Sequence, residues 1–350
     1  MDKAALRRAL IAGARRVIAD RDQLNRINVF PVADGDTGNN LAQTLGSLLN
    51  GALRRRSRHV GELLQRIGND AIDGARGNSG AILAQFFFGA AEQARGWAAM
   101  DGAGLASAAR RGADSARAAL AHPVEGTILS VIAAFAEALE DAVRRDAQLA
   151  PRRGFAAALA RSRQALADTP RQMAALQKAG VVDAGAKGFV DLLEGMSDYL
   201  EGGPRAARAL TEAAHDEAHA GCGDAHPAHD AVDPARRWCG ECLVLGTAID
   251  RNALRDALEA IGADSLVLAG GATRMRVHAH VGQPQALFDA CAAHGQVEAM
   301  KADDMIRQQA VAAAPQPWVV VTDSAADLPD DIAERYAIGV VPARVDLDGR

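Results

Sequence analysis

Lysine is scarce in this chain. Of 39 basic residues only Lys3, Lys178, Lys187 and Lys301 are lysines, so few ammonium groups are available to clamp an anion. Cysteine is scarce too: four in 350 residues cannot staple a disulfide scaffold, and a reducing compartment is expected. No run of 18 apolar residues exists, so no helix is expected to span a membrane. The first eight residues open an amphipathic helix and show no apolar signal core, which makes the cytoplasm the expected location. The net charge is −5, so no bulk positive field draws the chain to nucleic acid or anionic lipid. Neither a Walker A pattern nor Gly-x-Gly-x-x-Gly after a strand occurs, so a phosphate site here needs another design.

What is present is globular: 49% hydrophobic and 24% charged residues, in a chain long enough for two or three domains. Residues 1–203 read as an all-α unit of about eight helices. Val60, Leu63, Leu64 and Ile67 share one helical face, as do Ile128, Val131, Ile132, Phe135 and Leu139. Ala81 to Ala94 is apolar almost all round and suits a buried helix. Residues 204–235 are poor in large apolar side chains and read as a flexible linker, whose His215, His219, Cys222, His226 and His229 are more simply solvated than metal-bound. Residues 236–312 alternate strand and helix patterns as a small α/β unit. Residues 313–350 hold a linker, an apolar strand at Trp318–Thr322, a helix at Leu328–Tyr336 and a second strand from Gly339. That strand–helix–strand is too short for a domain, and a cut-off third unit is the expectation.

Chemistry concentrates in four loops. Asp34-Gly35-Asp36-Thr37-Gly38-Asn39-Asn40 places two carboxylates two residues apart between glycines. Hard divalent cations such as Mg²⁺ take oxygen ligands of this kind, usually one or two carboxylates plus phosphate oxygens. Thr37, Asn39 and Asn40 add neutral donors, although a capped Gly-Asp turn would use the same residues. Gly77-Asn78-Ser79-Gly80 precedes the apolar helix, where backbone N–H groups and the helix dipole suit an anion. Gly126-Thr127 and Asp183-Ala184-Gly185 repeat the arrangement before two further helices. Further on, Val277-His278-Ala279-His280 puts two imidazoles on one strand face. With Cys239 and Cys242 on an earlier strand they offer a Zn²⁺ set, or else a pair of surface histidines.

The four loops, in this order, resemble the signature of the DhaL-like (DAK2) family, which contains the nucleotide-binding components of dihydroxyacetone (glycerone) kinases and the catalytic subunit of bacterial fatty acid kinase. The Asn28-Val29-Phe30-Pro31-Val32 lead-in is more similar to the fatty acid kinase branch. The resemblance implies an antiparallel eight-helix barrel with ATP or ADP at one end. It implies Mg²⁺ on Asp34 and Asp36, the catalytic pair, and nucleotide contacts from Thr37, Gly38, Asn39, Asn40, Gly77, Asn78, Ser79, Gly80, Gly126, Thr127, Asp183 and Gly185. An upstream acidic ligand of the glycerone kinases is matched by Val29, and Asn28 is the candidate substitute. The Cys239, His278 and His280 region is similar to the middle domain of fatty acid kinase, where such residues bind zinc. Cys242 is then a candidate fourth ligand, with water as the alternative. Val321-Thr322-Asp323-Ser324 resembles the start of a DegV-type fatty-acid-binding protein, the acyl-presenting partner of fatty acid kinase.

The implied activity is transfer of the γ-phosphoryl of MgATP to a fatty acid carboxylate held by a DegV-type protein or domain. The nucleotide-binding component of a glycerone kinase, serving a small hydroxy-ketone, and a nucleotide-binding regulator without transfer chemistry are the alternatives. The oligomeric state stays open, a homodimer among the options. The C-terminal segment alone is expected to be mobile and to bind no fatty acid.

Overall fold

A computed structural model describes residues 1–218 and 232–313, and, further along, 320–326, 328, 332 and 338–341. Among the described residues, ten α-helices precede the first strand: α1 (Lys3–Ala19), α2 (Arg21–Arg26), α3 (Thr37–Asn50), α4 (Val60–Gly74), α5 (Gly77–Gln93), α6 (Gly102–Ala118), α7 (Ile128–Arg145), α8 (Pro151–Gln172), α9 (Ala174–Ala179) and α10 (Ala184–Ala218). Two of these, α2 and α9, have six residues each. The remaining eight close a ring: each packs on the next, and α10 packs on α1. The expected eight-helix barrel is present.

Helix ends follow local chemistry. Asp2, Asp101 and Thr127 cap α1, α6 and α7 with side-chain oxygens, and Pro151 opens α8 at a position where its missing N–H costs nothing. Gly13 on α1 and Gly195 on α10 let the closing pair of helices come into backbone contact. A Cβ on Gly195 would stand 2.7 Å from the Gly13 Cα, and one on Gly13 would stand 2.4 Å from the Leu192 carbonyl oxygen.

The second part of the chain is a four-stranded antiparallel sheet. In chain order it runs β1 (Trp238–Leu245), α11 (Arg251–Ala260), β2 (Asp264–Gly271), β3 (Arg274–Val281), α12 (Pro284–Ala292), β4 (Gln296–Asp304) and α13 (Met305–Ala313). The sheet order β2-β3-β1-β4 with this connectivity is the ferredoxin-like βαββαβ arrangement. Alternation splits its two faces. Cys242, Val244, Leu268, Met275 and Val277 pack under α11 and α12 with Leu254, Leu258 and Leu287. Leu243, Val267 and Ala269 belong instead to the core of the helical ring.

The sheet therefore lies on the barrel. Gln85 of α5, 4% exposed, accepts a hydrogen bond from the Gly270 N–H at 2.5 Å. The turn after α6 runs along the edge of β2: the Leu268 N–H donates to the Ala119 carbonyl at 2.8 Å and the Ala121 N–H to the Leu266 carbonyl at 3.3 Å.

Two expectations change. Residues 204–218, read as linker, continue α10 past a break at Gly203 (φ 69°, ψ −164°). His219, Cys222, His226 and His229 lie outside the described residues, as does the rest of that linker to position 231. Strand β4 has no counterpart in the sequence reading, because an edge strand with exposed Glu298, Ala299 and Met300 lacks the apolar alternation that marks a buried one. At the C-terminus, described by itself, β5 (Val321–Asp323) pairs in parallel with β6 (Gly339–Val341), as the strand–helix–strand reading requires. Trp318, Val319 and most of the expected Leu328–Tyr336 helix fall outside the described residues.

The α1–α10 closure supplies a stability test. Gly195→Val places two methyl groups against the α1 backbone and is expected to cost roughly 3 kcal/mol, at the upper end of overpacking effects. Urea unfolding of the variant beside the parent measures it; equal midpoints would show that the seam can open without penalty.

Candidate functional site

The four loops meet at one end of the barrel, and small residues make the meeting possible. A Cβ on Gly77 would stand 2.4 Å from Asn40 Nδ2, and one on Gly185 would stand 2.5 Å from Ser79 Oγ. Gly77 also has φ +59°, a conformation that side chains with a Cβ rarely take. Asp183 joins the last two loops: its Oδ1 accepts the Ala186 N–H at 2.7 Å, and its carboxylate also accepts from the Ile128 backbone. Between the loops and the sheet lies a cleft of about 1060 Å³. Asn78, Ser79, Thr127 and Asp183 line it from the barrel, and Asp264, Leu266 and His280 line it from the sheet.

Asp34 and Asp36 stand side by side beside Ala33, another cleft residue, with their carboxyl groups hydrogen-bonded to each other. Burial, then the charge of Asp36, pushes the Asp34 carboxyl well above the ordinary range. Asp36 is also raised by burial, against the Asp34 and Asn40 hydrogen bonds and the nearby charges of Lys301 and His278. Two crowded carboxyls that resist joint ionisation are relieved by a bound cation, and this pair can hold one.

Other residues of the first loop are used within the protein. Asn28, 4% exposed, accepts both the Thr37 N–H (2.9 Å) and the Thr37 hydroxyl (2.6 Å) on Oδ1, while its Nδ2 donates to the Val32 carbonyl. Both Oδ1 lone pairs are spent, so Asn28, read as a candidate Mg²⁺ ligand, is placed here as a brace of the loop. Asn39 pairs with Asn25 through its backbone and side chain, and a Cβ on Gly38 would stand 2.0 Å from the Arg21 carbonyl oxygen. Thr37, Gly38 and Asn39 thus set the loop, whereas Asn40 reaches toward Asp36 and Gly77.

On the sheet, register brings the sulfur and nitrogen ligands together. Cys239 lies opposite His280, and Glu241 opposite His278, across β1 and β3. One ligand atom from each of Cys239, His278 and His280 falls within 4.8 Å of the others. Burial, then His278, lowers His280 to about 3, so its ring is neutral at pH 7. Burial raises the Cys239 thiol, helped by the charges of Glu241, Asp36, Asp303 and Asp34. His278 Nε2 is buried without a partner. His278 Nδ1 lies 3.7 Å from the Cys239 Sγ, and two imidazoles and a thiol this close together suit a soft divalent cation such as Zn²⁺. Cys242, the candidate fourth ligand, does not belong to this set. Three residues from Cys239 on a strand it faces the other way, into the α11–α12 core, hydrogen-bonded to Cys291.

The two clusters adjoin, which the sequence does not indicate: Asp34 and Asp36 act electrostatically on Cys239, and His278 acts on Asp36. Glu241 between them also escapes a reading by motif; its parity with Cys239 on β1 is the available signal. Burial raises its carboxyl, but the hydrogen bond and charge of His278, the Gly77 N–H and the charge of Arg76 outweigh that and hold it below the ordinary range. Of the lysines, Lys187 is held by Asp20 (2.8 Å) and Asp191 (2.6 Å), while Lys178 lines the cleft.

Asp183 gives a pH test. Burial raises its carboxyl to about 6, above the ordinary 3.8, so the folded chain binds the extra proton between those values. Its contribution to stability therefore falls as pH rises through that window, by at most about 3 kcal/mol. Asp183→Asn removes the dependence. Denaturant unfolding should show the variant gaining on the parent between pH 4 and pH 7; a constant difference would contradict the assignment.

Comparisons with known proteins agree with this architecture. Residues 31–198 match the DAK2 domain family model, and residues 235–312 match that of the FakA-like middle domain of fatty acid kinase. Two Staphylococcus aureus proteins described as uncharacterized, from strains COL and MSSA476, are each 30% identical over 307 residues, covering 85% of this chain and 55% of theirs. The chain thus spans about half the length of the curated relatives it matches. The crystal structure of a C. freundii dihydroxyacetone kinase with AMP-PNP and Mg²⁺ aligns at a TM-score of 0.43 and 17% identity, over 56% of this chain and 34% of that one, too slight a likeness to argue from. On the two matched domains, the chain belongs to the DAK2-domain (DhaL-like) family, in the branch that carries a FakA-like middle domain.

Proposed function

We propose that this chain is the nucleotide-binding kinase part of a fatty acid kinase. It would pass the γ-phosphoryl of MgATP to a fatty acid carboxylate presented by a DegV-type protein or domain. The observation that carries this reading is the cleft in which Asn78, Ser79, Thr127 and Asp183 converge beside the Asp34–Asp36 pair. Phosphoryl transfer asks a protein mainly for positioning and charge neutralisation, and such a site supplies both without a Walker lysine. Asp34 and Asp36 would hold Mg²⁺, which neutralises phosphate charge when bound. The loops at α5, α7 and α10 would orient the nucleotide, and the sheet would exclude water from the open side of the cleft. The middle-domain match favours an acyl acceptor over a hydroxy-ketone.

Cys239, His278 and His280 would hold one Zn²⁺ per chain at the same end of the barrel. Its ligands share the barrel-facing side of the sheet with residues that belong to the helical core. Loss of this ion is therefore expected to disturb the cleft as well as the sheet.

Phosphoryl transfer from ATP is the direct test, with fatty acid plus a DegV-type protein as one acceptor and dihydroxyacetone as the other. Acyl-dependent ADP release is expected, with none for dihydroxyacetone; the reverse preference would replace this reading by a glycerone kinase one. Asp34→Ala or Asp36→Ala should reduce turnover by about a hundredfold or more, as loss of a preorganised charge partner does. Elemental analysis is expected to find one zinc per parent chain and none in His278→Ala. Zinc-free parent protein with full activity would reject the second site.

A further inference from the structure

Glu241 is a buried side chain outside the family's signature loops with partners on both the barrel and the sheet. It is 3% exposed, and its carboxylate takes donors from two elements. Oε1 accepts the Gly77 N–H at 2.6 Å, across 164 residues of sequence, and faces His278 Nδ1 at 3.0 Å. Oε2 pairs with Arg276 Nη2 at 3.3 Å. Arg276 is 1% exposed, and its Nε and Nη1 have no partner, so Glu241 is the one charge that compensates it among the described residues. Burying a carboxylate is costly unless its oxygens are paired, and both of these have partners.

We propose that Glu241 is a positioning residue that ties the anion-binding loop at the start of α5 to the Cys239, His278 and His280 set. The loop end works through Gly77. That residue opens α5 in a left-handed conformation, and an acceptor fixed on its N–H fixes the direction in which Asn78 and Ser79 enter the cleft. The metal end works through the orientation of His278. Glu241 Oε1 stands 3.0 Å from Nδ1, the ring atom that also lies 3.7 Å from the Cys239 Sγ, so the carboxylate fixes how the imidazole is turned against the thiol, while Nε2 stays buried and unpartnered. A carboxylate beside a ligating imidazole orients the ring in this way. One side chain therefore sets both halves of the site, and a change at either half is felt at the other.

The proposal rests on the nucleotide reading above for its loop half. The test uses the full chain, with Co²⁺ as the metal probe and MgADP as the nucleotide probe, each titrated against the parent, Glu241→Ala and Glu241→Gln. Thermal melts establish which variants fold. Glu241→Ala is expected to weaken Co²⁺ by about tenfold or more, with a changed thiolate-to-cobalt band. It is expected to weaken MgADP by about three- to tenfold, the loss of one hydrogen bond. Glu241→Gln keeps a neutral acceptor for Gly77, so it should restore most of the MgADP affinity and little of the Co²⁺ affinity. A purely structural role would lower the melting temperature and leave both constants alone. Folded Glu241→Ala with both constants within twofold of the parent overturns the proposal. If that variant does not fold, parental Co²⁺ affinity and spectrum in Glu241→Gln overturn it. A parent that binds no MgADP ends the nucleotide reading and the loop half with it, whereas normal parent binding with unaltered variants removes the proposal alone.

Discussion

Helix α5 has no polar face to show to solvent, and the rest of the molecule is arranged around that constraint. Its Ala81 to Ala91 stretch is buried almost throughout, with Ile82, Leu83, Phe86 and Phe87 pointing in different directions. A helix apolar on all sides must be covered on all sides. Helices α3, α4 and α6 cover part of it, and the strands β2 and β3 cover more. The one polar side chain buried in its middle, Gln85, is satisfied by a strand backbone rather than by water. The sheet is therefore structurally part of the barrel's core, although the chain reaches it only after a long intervening segment.

That docking decides where the chemistry sits. Because Leu243, Val267 and Ala269 face the barrel, every residue of the same strand parity faces it too. Cys239 and Glu241 on β1, and Arg276, His278 and His280 on β3, are carried to the barrel end where the glycine-rich loops converge. A carboxylate pair and a thiol–imidazole trio thus become neighbours, each perturbing the proton affinity of the other.

The sequence discloses what is local and conceals what is distant. Helix periodicity, the Asp34–Asp36 pair and the His278–His280 alternation are short-range patterns, and the structure has them. The Gly77–Glu241 and Gln85–Gly270 bonds join positions 164 and 185 residues apart, and no local pattern encodes such a meeting. Cys242 departs from its expected role for a simpler reason: a three-residue step on a strand reverses the face, whatever the residue type. Asn28 shows a further limit. An amide in a ligand-like motif reads the same whether its oxygen is offered outward or consumed by Thr37.

The short connection between α6 and α7 has a status that its composition hides. Leu120 forms a bridge with Val267, and Ala119 and Ala121 exchange backbone bonds with β2 on either side of it. It behaves as a fifth strand, sealing an edge that would otherwise be open to another chain. Leu120 and His122 also line the cleft. Surface loops usually absorb insertions and drift freely in length, but this one is gripped along its backbone by a sheet while its next residues form the wall of a cavity. Its length is consequently as constrained as that of a core strand, and amide exchange there should be slow where a loop would be fast.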